Sequence, residues 1–280
     1  MLRSPGSGVW PFYVDPTHVL NLLSVTVITL NESCNIAACL ASVGFADQVV
    51  VVDSGSTDDT VSQAQMAGAE VSAQADWPGF GPQKNRALAL ATGQWVLSLD
   101  ADERVSPELQ QEILQQLALV PAGQSVAFEI PRLTQFCGVW IRHCGWTPDH
   151  VLRLFRRGEA RFSDDLVHES LRLQDPGTPV LRLKNPLLHY SYPTPEHYWR
   201  KLERYSRAWA RQRHAQGRRV GMMRAALSGF AAFFRSYVFR FGFLDGAMGF
   251  AVCTMQGQAA FGKYFELYCL GRQSDKPKQE

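Results

Sequence analysis

The run Trp95-Val96-Leu97-Ser98-Leu99, followed at once by Asp100-Ala101-Asp102, limits this chain more than any other stretch. A strand buried on both faces reads as a near-continuous apolar run, which is the habit of parallel sheets. Its carboxyl end opens into the crevice where open α/β sheets bind ligands. Two aspartates one residue apart at such an edge repel each other unless a cation neutralises them. Hard divalent ions such as Mg²⁺ take carboxylate oxygens and leave room for substrate phosphates. The pair therefore reads as a metal site gripping a diphosphate, or more simply as an acidic turn capping the helix at Ser106-Pro107-Glu108.

The surrounding pattern supports the sheet. Leu23 to Leu30 is a β-branched strand, and Asn31 is a fitting N-cap for a helix from Glu32 to about Gly44. Gln48 to Val52 forms a second apolar strand ending on Asp53, and Ser54-Gly55-Ser56-Thr57 launches a helix from Asp58 to about Ala67. A short strand at Gly68 to Ser72, a helix from Pro82 to Ala91 and a helix from Pro107 to Leu119 complete the alternation. Strands alternating with helices of this length imply βαβ units and a mostly parallel, Rossmann-like sheet flanked by helices. There is no Gly-x-Gly-x-x-Gly after the first strand and no Gly-Lys-Ser/Thr loop, which argues against dinucleotide oxidoreductases and P-loop enzymes.

Beyond this half the pattern loosens. Val126 to Leu133 and Val151 to Phe155 read as strands around a loop, Gly138 to His150, that holds Trp140, Trp146, Pro148 and Asp149. Trp faces suit sugar rings and equally suit packing. Polar clusters follow at Asp164, Asp165, His168 and Glu169, and at His189 to Pro193. Asp53 suits a base or ribose, or caps its own turn. Lys84, Asn85 and Arg86 suit phosphate chemistry, or form a solvated helix face.

From Thr194 the period becomes helical. Tyr198, Leu202, Tyr205 and Trp209 make one stripe, and a helix over Met222 to Phe241 carries several Phe beside Arg224 and Arg235. Here the net charge of +2 conceals a division: Arg200 to Arg240 holds eleven Arg or Lys and one acid, so that window carries +10 and the remainder −8. A basic, aromatic amphipathic extension suits an anionic membrane surface, or caps the body with its arginines in water. Nothing resembles a base-reading module, so nucleic acid is not an expected partner. No transmembrane helix is convincing: Gly246 to Gly262 is short of a span and contains four glycines. The six cysteines show no Cys-x-x-Cys pair, and reduced cytosolic thiols are the expectation. The organisation expected is an irregular leader over 1–22, a catalytic domain over 23–193, a helical membrane- and acceptor-associating extension over 194–270, and a disordered tail over 271–280.

Taken together, SVTVITLNE, VVVVDSGSTDDT and QKNRALALATGQWVLSLDADE resemble the nucleotide-sugar half of family 2 inverting glycosyltransferases of the GT-A fold. The later segments GWTPDHVLRLFRR, LVHES, LLHYSY and FLDGAMGF resemble the subgroup that builds the bacterial lipopolysaccharide core. The resemblance implies a hexosyltransferase, typically using UDP-glucose, that acts on an inner-core or similar lipid-linked saccharide with Mg²⁺ or Mn²⁺. It implies a cytoplasmic enzyme lying peripherally on the inner face of the bacterial inner membrane. By position it gives Thr29, Glu32 and Asp53 to the nucleobase, Lys84 and Arg86 to the diphosphate, and Asp100 to the ribose or metal. Asp102 would bind the metal, completed by His168 or His189. Asp149 or Glu169 would be the catalytic base, with Trp146 and Arg153 on the acceptor side. Two alternatives accompany this reading: hexosyl transfer to a polyprenyl phosphate, and a sugar-nucleotide or lipid-binding module without turnover. Oligomeric state is not readable from the sequence.

Overall fold

Every residue of β1 (Leu23–Thr29) is buried, as expected of a strand covered on both faces. The computed structural model describes residues 23–121, 123–163 and 170–274; the leader over 1–22, His168, Glu169 and the last six residues lie outside them. Asn31 does not cap a helix. It sits at φ 56°, a left-handed backbone that Asn tolerates, and its side-chain oxygen accepts from the Thr57 N–H at 2.8 Å. The first helix is consequently short, α1 (Ile36–Ala41), and Asn31 instead ties two strand-to-helix turns together. β2 (Gln48–Asp53), α2 (Thr60–Met66), β3 (Glu70–Ala73), α3 (Phe80–Leu90) and β4 (Trp95–Asp100) follow in the expected alternation.

A tight turn then leads into β5 (Glu103–Val105), a strand too short to show in the pattern. α4 (Pro107–Leu119) starts where its sequence dictates. Ser106 accepts from the Leu109 N–H at 3.2 Å, Pro107 occupies the first turn, and Leu109, Ile113 and Leu117 are buried on one face. β6 (Ala127–Phe136), β7 (Val139–Ile141), β8 (Asp149–Arg156), β9 (Ala160–Phe162), β10 (Leu171–Leu173), β11 (Val180–Arg182) and β12 (Leu187–Tyr192) complete the strands among the described residues. The main sheet runs β3-β2-β1-β4-β8-β6-β12-β5, parallel from β3 to β4, with β8 antiparallel between β4 and β6. This is a mixed α/β sheet, parallel through its first four strands, as the resemblance implies. Its core joins Val25, Val27, Leu97 and Leu99 to Ile36, Leu109 and Ile113 of the covering helices.

The helical extension comprises α5 (Pro195–Ala215), α6 (Met222–Phe234) and α7 (Gly246–Ser274). The helix expected over Met222 to Phe241 ends early. A π-helical turn at Arg235–Phe239 follows, then Phe241 at φ 54° and a 3-10 turn at Gly242–Asp245. α7 runs through Gly246 to Gly262 and on to Ser274, past the expected end of the extension at 270. A second core holds α5 and α7 on the body: Tyr198, Val252, Cys253 and Met255 pack with Phe136 and Ile141.

Candidate active site

The carboxyl ends of β1 and β4 open a cleft of about 560 Å³ lined by Thr29, Glu32, Lys84, Asp100, Asp102 and His189, among others. Asp100 ends β4, and both its carboxylate oxygens face cations. Lys84 Nζ is 2.8 Å from Oδ1, and an Arg153 guanidinium nitrogen is 2.6 Å from Oδ2. Burial alone would raise this carboxyl, but Arg153 and Lys84 hold it well below the usual carboxylate range.

Arg153 also donates to Glu103 at 3.0 Å, and Glu103, fully buried, accepts from the Asp100 N–H at 3.0 Å with its other oxygen. Burial would lower the Arg153 guanidinium, yet Asp100 and Glu103 together push it up. Arg132 lies 3.7 Å from Glu103 and donates to Asp149 from two nitrogens. Three cations and three carboxylates thus form one chain from the β4 rim to β8, with no charge left over.

Asp102 stands outside that chain. Its Oδ2 is 3.3 Å from His189 Nε2, and its backbone carbonyl accepts from the Tyr190 N–H at 2.9 Å. Burial would raise Asp102, but the His189 hydrogen bond and charge keep it low. His189 Nδ1 lies 3.3 Å from the Thr134 hydroxyl. His189 thus lies between the Thr134 hydroxyl and the Asp102 carboxylate, one ring nitrogen toward each. Asp102 and His189 are a carboxylate and an imidazole of the kind that ligate divalent ions. Asp100, its two oxygens taken by Lys84 and Arg153, fits one less well than expected. Among the described residues no group of three or more His, Cys, Asp or Glu gathers around a metal position.

The remaining expected residues divide. Thr29 and Glu32 line the cleft, and burial raises the Glu32 carboxyl above its ordinary value, partly offset by a bond from Asn35. Asp53 is buried and fully engaged. Oδ1 accepts from Thr29 Oγ1 and Ser56 Oγ, and Oδ2 from the Gly55 and Ser56 N–H groups at 2.9 and 2.8 Å. That exhausts a carboxylate's four acceptor positions, so in this conformation Asp53 acts as the turn cap, and it supports the cleft through Thr29. Arg86 does not join Lys84; it is paired with Asp76 through two nitrogens at 3.0 and 2.7 Å. Arg153 is 5% exposed and committed to Asp100 and Glu103, so it holds the acids and does not reach out to an acceptor.

Asp149 and Trp146 line an adjoining cavity of about 510 Å³ that shares Arg132, His189 and Lys201 with the first. Trp146 stacks on Tyr198 with 22° between ring planes, so one face serves packing while the residue remains partly exposed. Five contributors escaped the sequence reading: Glu103, Arg132, Lys201 and the edge-on pair Trp77 and Phe80, whose rings are 4.9 Å apart beside Thr29. Only Glu103 had a local signal, as a third acid directly after the aspartate pair.

A half-parallel sheet whose carboxyl rim carries an aspartate pair over a cation-lined cleft is the arrangement the sequence resemblance implies for a nucleotide-sugar transferase. The chain belongs to glycosyl transferase family 2, whose profile matches residues 24–128. It is 31% identical over 263 residues to an uncharacterized glycosyltransferase of Rickettsia conorii, covering 91% of this chain and 92% of that one. It is 31% identical over 207 residues to LpsC of Rhizobium meliloti, a lipopolysaccharide core biosynthesis glycosyltransferase, covering 70% and 73% of the two chains. A solved glucosyl-3-phosphoglycerate synthase of Mycobacterium tuberculosis aligns at 27% identity with a TM-score of 0.34, over 45% of this chain and 48% of that one.

Proposed function

We propose that the protein transfers a hexose, with glucose from UDP-glucose the first donor to test, to a lipopolysaccharide inner-core or similar lipid-linked saccharide. The work would take place at the cytoplasmic face of the bacterial inner membrane. The observation that carries this reading is the pair of adjoining cavities with a common wall of Arg132, His189 and Lys201. One cavity has the acids and Lys84 suited to a nucleoside diphosphate, and the other has a half-exposed carboxylate suited to an incoming hydroxyl. The relationship to LpsC supports the lipopolysaccharide core as the pathway of the acceptor.

In this mechanism the base stacks beside Trp77, and Thr29 and Glu32 receive its polar edge. Lys201 draws the diphosphate toward Asp102 and His189, which would hold the divalent ion, while Lys84 stays on Asp100 at the floor of the cleft. Bound there, Mg²⁺ or Mn²⁺ supplies charge stabilisation to the departing diphosphate. Asp149, oriented by Arg132, takes the proton of the acceptor hydroxyl as that oxygen attacks the anomeric carbon from the face opposite the leaving group. The new glycosidic bond forms as the bond to the diphosphate breaks, giving inversion through an oxocarbenium-like transition state. Trp146 offers an aromatic face to the acceptor sugar.

The test is a UDP-sugar screen by mass spectrometry with lipid-linked core oligosaccharide, with and without EDTA. Asp102→Asn is expected to lose about a hundredfold or more in transfer; turnover near that of the unaltered enzyme would refute the assignment. The cations around the second cavity also suit an acceptor that is itself a phosphate. A polyprenyl phosphate acceptor would give transfer that survives Asp149→Asn, since no proton needs removing.

A further inference from the structure

The helices of the extension differ in what covers their apolar faces. α5 and the first half of α7 bury theirs on the body, through Tyr198, Val252, Cys253 and Met255. α6 does the reverse. Met223, Leu227, Phe230 and Phe234 fall at i, i+4, i+7 and i+11, one face of a helix, and are 70, 58, 66 and 53% exposed. On the opposite face Gly229 and Gly257 approach so closely that a Cβ on either would lie 3.1 Å from the other's carbonyl oxygen. Ser228 reaches across to the Ala260 carbonyl at 3.2 Å. α6 thus meets α7 through Ser228, Gly229 and Phe233, with Met223, Leu227, Phe230 and Phe234 turned outward. The exposed face continues over the break, where Phe239 is 74% and Leu244 60% exposed.

Charge identifies the occupant of that face. From Arg218 to Leu244 there are five arginines and no acid. The first acid, Asp245, is withdrawn onto His143, accepting from its N–H and facing its ring nitrogen, both at 2.8 Å. Aromatic and aliphatic side chains interspersed with arginine alone match an anionic lipid leaflet. Among the described residues no single helix is long and apolar enough to cross a membrane, and α6 and α7 meet at a 74° bend. The buried half of α7 belongs to the body and cannot leave it for lipid. The surface left for a partner is therefore the outer face of α6 and the bend.

The bend also adjoins the second cavity. Arg240, between the exposed Phe239 and Phe241, gives its carbonyl to the Cys144 N–H at 3.1 Å, and its side chain lines that cavity over Gly145. Phe241 takes a left-handed backbone, φ 54°, a conformation that a bulky residue adopts only where the surroundings impose it.

We propose that α6 and the bend after it form a monotopic wedge, seated in the headgroup and upper acyl region of an anionic leaflet, that holds the Asp149 cavity at the membrane surface. The purpose of that placement rests on the acceptor being lipid-linked; the wedge itself does not. The test is flotation of the full-length protein with vesicles of phosphatidylcholine alone and of phosphatidylcholine with phosphatidylglycerol. Binding is expected on the second and to weaken about tenfold for each of Phe230→Gln and Phe239→Gln, about a hundredfold for both. Fluorescence of Phe239→Trp should be quenched by lipid brominated on the acyl chain. Three results would each overturn the wedge: unaltered partition of the double variant, equal binding to both vesicle types, or a lipid-free dimer that shields the Phe239→Trp indole from a soluble quencher. UDP-sugar hydrolysis without vesicles, expected to be unchanged in these variants, separates the two questions. A loss of lipid binding with hydrolysis intact supports the wedge, whereas a wild-type protein that floats but never turns over UDP-sugars leaves the wedge standing and removes the transferase assignment.

Discussion

Glu103→Gln removes one charge from the buried chain of ion pairs without changing the side chain's shape. Glu103 is 0% exposed and Arg153 5% exposed, so neither group can recover its hydration where it stands. The glutamine retains one acceptor for either the Asp100 N–H or Arg153, and it turns an amide N–H₂ toward a guanidinium. Leaving a buried cation without its counter-ion typically costs ~3–5 kcal/mol. Arg153 still has Asp100 at 2.6 Å, which places the expected loss near the lower end, about 3 kcal/mol. For a chain of this size each kcal/mol moves the midpoint by about 2–4 °C, so thermal unfolding followed by circular dichroism should shift down by about 6–12 °C. The shift should barely change with salt, because the pair is shielded from mobile ions. Arg86→Gln, which breaks the exposed pair with Asp76, is the control and should melt within about 2 °C of the unaltered protein. If Glu103→Gln melts like the control, the six charges do not act as one network, and the account of how Asp100 is held fails.

The acid limb of stability should report the same network. Native Asp100 and Asp102 lie below their unfolded value of about 3.9, so the stability they confer is complete above it and lost as pH falls through the native values. The melting temperature should be flat from about pH 8 to 5, drop below about pH 4, and drop less steeply in Asp100→Asn. Trp77→Ala should raise the donor KM about tenfold with little change in kcat, as expected for a stacked base; an unchanged KM would place the base elsewhere. Burial pushes the Cys39 thiol up to about 12 and raises Cys144 as well, so at pH 8 a thiol reagent should label exposed Cys34 and reach Cys39 and Cys144 only on unfolding.

The donor half of the site was legible because its physics is local. β1, β2 and β4 are covered on both faces, which makes each a continuous apolar run, and the acids that end β2 and β4 mark the rim of the sheet. Ser106-Pro107 announced α4 for equally local reasons. The acceptor half depends on pairings that no window of sequence contains. His189 reaches Asp102 because β12 lies antiparallel to β5 with Leu187 opposite Val105 and His189 opposite Glu103. Neither strand stands out, one having three residues and the other reading as a polar cluster. Arg132 and Arg153 look like solvent-facing positions of ordinary strands until β8 is set beside β6 and β4, which turns them toward the acids.

Periodicity showed equally well that α5 and α6 each have an apolar stripe, but a stripe does not say what covers it. In α5 the answer divides along one helix: Tyr198 packs on Phe136, Tyr205 lines the cleft and Trp209 meets Tyr264 of α7 at 5.0 Å. In α6 the residues that settle the matter are the inconspicuous ones. Gly229 and Ser228 let α7 approach closely on the side away from Met223, Leu227, Phe230 and Phe234, so the contact that fixes the helix also exposes that stripe. Gly229→Leu is therefore the decisive structural perturbation for this region. It would push α7 away or rotate α6, and it should release vesicle binding although no residue of the exposed face has changed. The same substitution at Gly262 of α7, where no atom beyond the adjoining backbone of its own helix lies within 4 Å of the added Cβ, should leave lipid binding intact. If both variants float like the unaltered protein, the orientation of α6 does not depend on the glycine contact, and the exposed stripe requires another cause.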